Sequence, residues 1–113
     1  MFSINLTRRA VRDLKFLRKK FQKIEEDLEK LFSTLLQEKL LGDKIQNLQG
    51  LEIYKARIRN SSSASGSSGG LRVIYYARKR NGEILVLSIY SKTQKSDISH
   101  REILKILQQE NLA

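Results

Sequence analysis

Cysteine is absent from the 113 residues, as are proline and tryptophan, and histidine occurs once, at His100. Without cysteine there is no thiolate zinc site, no thiol nucleophile and no disulfide framework. A single histidine argues against a histidine-based metal centre, so no metal is expected. No apolar run approaches the roughly 20 residues that a membrane-spanning helix needs. The first residues alternate as Phe2-Ser3-Ile4-Asn5-Leu6 and lack the apolar stretch of a secretory signal. The expectation is a cytoplasmic protein with no membrane partner. Acidic residues are scarce beside basic ones: 12 Asp+Glu against 22 Lys+Arg, a formal charge of +10 and a pI near 10.1. Such a balance is the electrostatic footprint of a nucleic-acid binder, with a merely solvated basic surface as the plainer reading.

The length fits one domain spanning 1–113, large enough to bury a core without covalent staples. The charge is uneven. Residues 1–22 carry seven basic and one acidic side chain, residues 23–50 four and six, and residues 51–113 eleven and five. Phe2, Ile4 and Leu6 read as a half-buried strand, and Thr7 suits a helix N-cap. From Ala10 through Leu14, Leu17, Phe21, Ile24, Leu28, Leu31 and Leu35, apolar residues recur at spacings of four and three, one helical face. The change from basic to acidic residues near Lys23 places a break at Phe21–Lys23, since acids favour a helix N-terminus. The second helix is expected to run to about Leu41 with Gly42 as its C-cap. A helical hairpin on a sheet is preferred to a coiled coil. Residues 43–52 read as loop, anchored by Ile45, Leu48 and Leu51.

Ile53–Arg59 and Leu71–Arg78 are strand-like runs on either side of a tract with six serines and three glycines, residues 60–70, expected to be flexible from Asn60 to Gly66. Period two puts Lys55, Arg57 and Arg59 on one face and Tyr54, Ala56 and Ile58 on the other. Arg72 and Arg78 add to that charge if the second strand lies beside the first. Clustered like charges repel unless an anion meets them, and a polyanion is the obvious guest. Asn81-Gly82 signals a hairpin turn, Ile84–Tyr90 a buried strand, and Ser96 or Ser99 a cap for a final helix with Ile103, Leu104 and Leu107. The sum is α+β: an N-terminal strand, a helical hairpin, an antiparallel three-strand meander and a C-terminal helix.

The phrases Leu6-Thr7-Arg8-Arg9-Ala10-Val11-Arg12-Asp13-Leu14, Leu48-Gln49-Gly50-Leu51, Tyr54-Lys55-Ala56-Arg57-Ile58, Ser68-Gly69-Gly70-Leu71-Arg72-Val73-Ile74-Tyr75-Tyr76 and Leu87-Ser88-Ile89-Tyr90-Ser91-Lys92 follow one another in a recognisable order. Together they resemble the RelE/ParE superfamily of bacterial toxins, within it the RelE/HigB branch, over nearly the whole chain. The resemblance implies a microbial-RNase-like, RelE-type fold. It implies the toxin of a type II toxin–antitoxin system, a ribosome-dependent mRNA endoribonuclease using no metal and no small-molecule cofactor. Its implied partners are a cognate antitoxin, the ribosome and mRNA. Lys55 and Arg57 match the family's basic positions on the second strand, Arg72 the arginine after the glycine turn, and Lys92 the basic position after the last strand. His100 stands where the family often places a helping tyrosine or histidine. The sequence departs from the family at Ser67, where related chains often carry lysine, and the corresponding alternative is an attenuated, non-catalytic RNA-binding form. ParE-like inhibition of DNA gyrase on the same fold is the other alternative.

A metal-free ribonuclease uses the RNA's own 2′-OH and must stabilise the charge that develops on the phosphate. Arginine forks suit that task. His100 has the pKa for acid or base work, and Lys55 could act as base if Arg57 and Arg72 depress its pKa. Arg59, Arg78, Tyr90 and Lys95 are candidate RNA contacts, with Tyr90 expected to reach a nucleobase. Arg8, Arg9, Arg12, Arg18, Lys19 and Lys20 read as a solvated helix face, with contact to the rRNA backbone as the alternative, and Tyr75 and Tyr76 as core and core-edge residues.

Overall fold

Alternation at the N-terminus does produce a strand, β1 (Ser3–Leu6), whose Ile4 and Leu6 face the core while Ser3 and Asn5 face solvent. The computed structural model describes residues 2–62 and 70–112. After β1 come helices α1 (Arg8–Lys20) and α2 (Ile24–Leu36), a two-residue strand β2 (Asp43–Lys44), strands β3 (Ile53–Ile58), β4 (Leu71–Arg78) and β5 (Glu83–Ser91), and helix α3 (His100–Gln109). The class is α+β, with a five-stranded mixed sheet ordered β1-β5-β4-β3-β2. β3, β4 and β5 form the antiparallel meander, and β1 pairs in parallel with β5. Among the described residues no helix is long and apolar enough to cross a membrane.

The sheet is covered on both faces. Ala10, Leu17, Ile24, Leu28, Leu31 and Leu35 of α1 and α2 pack on Ala56, Val73, Tyr75 and Val86. On the opposite face Ile103, Ile106 and Leu107 of α3 pack on Ile53, Ile74, Leu85 and Leu87, with Leu48 from the loop before β3. Thr7 caps α1 by accepting the Ala10 N–H at 3.1 Å and donates its own hydroxyl to the Leu87 carbonyl at 2.9 Å. Ser99 caps α3 through the Glu102 N–H at 3.1 Å. At a register shift between β4 and β5 the ladder is irregular. There Asp13 of α1 accepts from Ser88 Oγ at 2.8 Å and from the Ile89 N–H at 3.0 Å, so a helix carboxylate satisfies what the bulge leaves over.

Three expectations are corrected. α2 stops at Leu36 rather than near Leu41, because Glu38 has a left-handed φ of 64° that no helix continues. Gly42 is therefore no helix cap. It lies at φ +102° against β3, where a Cβ would come 2.3 Å from the Lys55 carbonyl oxygen. The segment read as pure loop includes β2, which pairs with Lys55 and Tyr54 of β3. The hairpin turn expected at Asn81-Gly82 is present, as a 3-10 turn, Lys79–Asn81, closed by left-handed Gly82.

The start of the serine tract is also not loose. Asn60 is buried, Ser61 donates from its N–H and its hydroxyl to Asp27 of α2, and Ser62 Oγ accepts the Lys23 N–H at 2.8 Å. Ser62 thus serves the N-terminus of α2, where Lys23 has no capping side chain of its own. Residues 63–69, including Ser67 and Gly69, lie outside the described residues, and Gly70 enters β4 with a left-handed φ of 61°.

Candidate functional site

The alternation along β3 holds. Tyr54, Ala56 and Ile58 pack toward α1 and α2, while Ile53 lies on the α3 face and Lys55 and Arg57 fall on that face in step with it. Arg72 shares the face with Ile74 by the same alternation on β4. Arg57 and Arg72 are direct partners in the β3–β4 ladder, and Arg72 is in turn the partner of Tyr90 on β5. Opposed residues in an antiparallel pair have Cβ atoms about 4.5–5.5 Å apart, so two guanidinium groups stem from neighbouring positions. Arg57 is exposed and forms no ion pair among the described residues. Arg72 is half-buried and donates to the Leu71 carbonyl at 3.4 Å. Exposed Lys92 sits at the same end of the sheet, its N–H donating to the Gly70 carbonyl at 3.1 Å.

A carboxylate from the segment between β5 and α3 completes this cluster. Asp97 Oδ1 accepts from Lys55 Nζ at 3.2 Å, from the Tyr90 hydroxyl at 3.3 Å and from the Ile98 N–H at 2.9 Å. Burial opposes its charge, but the hydrogen bonds from Ile98 and Lys55 outweigh that and hold its pKa below the usual carboxylate value. Burial, with the charge of Asp97 added, pushes the Tyr90 phenol up to about 12, against a lowering by Arg72. Lys55 therefore faces an anion as well as two arginines, which the reading of Lys55 as a base left out. The available signal was Asp97 as the only acid in the basic segment from Ser91 to His100.

Other expected members are placed elsewhere or engaged. Tyr90 is 3% exposed and packs in the α3 core, with the Lys95 ammonium over its ring at 5.8 Å. The expectation that it reaches a nucleobase is corrected, because its ring faces are covered. Lys95 pairs with Glu102 at 2.7 Å as well, so its charge is used inside the protein. The hydrogen bond from Lys95, ahead of an opposing burial effect, lowers the pKa of Glu102. Arg78 falls at the far end of β4 from Arg72, paired with Glu83 at 2.8 Å and stacked over Tyr76 at 5.9 Å. It does not add to the cluster. Arg59 lies just past β3, where it lines a cleft with Asp27, Lys30, Leu41 and Ile58 on the α2 side. His100 is exposed at the first position of α3 and makes no hydrogen bond or ion pair among the described residues. Arg18 is exposed and pairs with Glu25 across the α1–α2 turn at 2.9 Å.

The cluster of Lys55, Arg57, Arg72 and Lys92, with Asp97 at its side, can bind a phosphate group and offset charge that builds on it. Among the described residues no group of His, Cys, Asp and Glu is arranged to hold a metal ion. No protein-family model matches the chain.

Proposed function

We propose that this chain is a RelE-type endoribonuclease, the toxin of a toxin–antitoxin pair, acting on mRNA at the ribosome in the cytoplasm without a metal. The observation that carries the reading is the ladder pairing of Arg57 with Arg72 on the sheet face that also bears Lys55. Two guanidiniums that stem from neighbouring ladder positions repel each other where they approach, and an anion relieves this. In the proposed reaction the 2′-OH gives up its proton and attacks the adjacent phosphorus, the P–O5′ bond breaks to leave a 2′,3′-cyclic phosphate, and the departing 5′ oxygen takes up a proton, with water or the exposed His100 exchanging both protons. Arg57 and Arg72 hold the non-bridging oxygens, where stabilisation of developing charge is the largest catalytic contribution. Asp97 holds the Lys55 ammonium toward the same place, and Lys92 supplies charge from the loop after β5.

The test is mapping of mRNA 5′ ends after incubation with translating ribosomes. New ends within coding sequence, lost in Arg57→Ala, are expected. Intact mRNA at saturating protein overturns the reading. A non-catalytic RNA-binding role is the second reading, favoured by the engagement of Lys55 with Asp97 and by the covered ring of Tyr90. It predicts RNA binding that depends on Arg57 and Arg72 with no new ends.

A further inference from the structure

A second cationic feature lies away from the sheet site. α1 and α3 cover opposite faces of the sheet, yet the first turn of α1 reaches α3. The Arg8 N–H donates to Glu110 Oε2 at 3.2 Å, and Arg9 approaches Glu102 at 3.6 Å. Between the two helices is a cleft of about 620 Å³ lined by Arg8, Arg9, Arg12, Glu102, Lys105 and Gln109. Arg9 is held by Asp13 at 3.1 Å and by Glu102, and Glu102 is held in addition by Lys95. The one carboxylate in the lining is thus already matched by two cations. Arg8, Arg12 and Lys105 are exposed and form no ion pair among the described residues.

A solvated helix face explains isolated surface cations, but three details here go further. Arg8 and Arg12 are four apart on α1, and Lys105 and Gln109 four apart on α3, so each pair shares a side of its helix. The four converge on a concave surface, where walls of low dielectric focus a field of one sign. The first turn of α1 contains no acid of its own and begins Arg8-Arg9, setting cations against the positive end of the helix dipole, which Glu110 at the end of α3 meets only at the Arg8 N–H. Like charges gathered there disfavour the empty state and favour an anion. Arginine forks fit phosphate oxygens, and the lining has no aromatic ring to stack a base. We propose that the α1–α3 cleft is a phosphate-binding site, separate from the sheet cluster, that takes phosphate groups without reading the rest of the ligand. A nucleic-acid backbone and a free polyphosphate share that chemistry. The proposal does not depend on any catalytic activity of the sheet cluster.

Amide NMR of the whole chain tests it with two probes, tripolyphosphate and a short 2′-O-methyl RNA that cannot be cleaved. Shifts are expected at Arg8–Arg12 and Lys105–Gln109, and they should persist in Arg57→Ala/Arg72→Ala. The triple variant Arg8→Gln/Arg12→Gln/Lys105→Gln should weaken binding at the cleft by about tenfold or more. If the backbone is the ligand, the RNA responds, and its salt slope falls by about two when three contacts of roughly 0.7 each are lost. If free polyphosphate is the ligand, tripolyphosphate shifts these amides at about 150 mM salt and the RNA does not. The proposal is overturned if neither probe moves the α1 and α3 amides, or if the triple variant binds both as the parent does, whatever happens at Arg57 and Arg72.

Discussion

Arg57 and Arg72 differ from Arg18 in what surrounds them, and this difference sets their expected roles. The first two are ladder partners beside Lys55, whereas Arg18 is a surface residue paired with Glu25. Losing one charge contact to the reacting phosphate, in a site that bound RNA closes off from water, lowers a rate by roughly 10²–10³. Losing one screened contact mainly weakens binding. In single-turnover cleavage of ribosome-bound mRNA at saturating protein, Arg57→Ala and Arg72→Ala should slow the step by that factor. Arg18→Ala should leave it unchanged, and parental rates in folded Arg57 and Arg72 variants remove them from the site. Tyrosine makes a second residue-level prediction. Burial raises the phenol pKa of Tyr54, Tyr75 and Tyr90, the last to about 12. Because the folded value of Tyr90 exceeds the ordinary unfolded value near 10, its contribution to stability is complete below about pH 10 and is lost as pH rises toward 12. An absorbance titration should show delayed phenolate formation, and the alkaline decline in Tm should shrink in Tyr90→Phe. Period two and the glycine turn made Lys55, Arg57 and Arg72 legible as one face. The engagement of Lys55 by Asp97 was not, because the two meet across 42 residues of chain. The pairing of Arg78 with Glu83 was within reach, since both flank one hairpin turn.

Elements were legible where a pattern ran over several turns and obscure where one residue decided. The change of charge near Lys23 located the α1–α2 break, and apolar spacing located both helices. The end of α2 was misplaced because Leu40 and Leu41 prolong the apolar look beyond Glu38, whose backbone leaves the helix. β2 has too few residues to show alternation. Gly42 and Gly82 now separate two kinds of turn glycine. Both have positive φ, but an added Cβ at Gly42 meets the Lys55 carbonyl, while at Gly82 nothing lies within 4 Å. Gly82→Ala should cost only the left-handed backbone penalty, about 1–2 kcal/mol. Gly42→Ala should cost clearly more, since β2 must move off β3 as well. Urea unfolding of the two variants checks the order, and equal losses would mean that the 42–44 segment gives way freely.

The whole molecule is a sheet between two apolar layers that do not mix. Ile24 of α2 and Ile103 of α3 are both fully buried, one in each layer. Ile→Val at such sites costs about 0.5–1.5 kcal/mol. With a sheet between them the two losses should add to within about 0.5 kcal/mol. A double-mutant cycle measures this, and a larger coupling would show that strain passes through the sheet. The parallel pairing of β1 with β5 has a consequence for synthesis. Thr7 reaches Leu87 across 80 residues of chain, so the first strand has no ladder partner until β5 has been made, and until then α1 can pack on α2 but not on the strand it chiefly covers. At about 5–20 residues per second that interval is roughly 4–16 s. Throughout it the nascent chain offers an unpaired strand and a helical pair without its sheet, held apart from other chains by the repulsion of its seven basic side chains before Lys23.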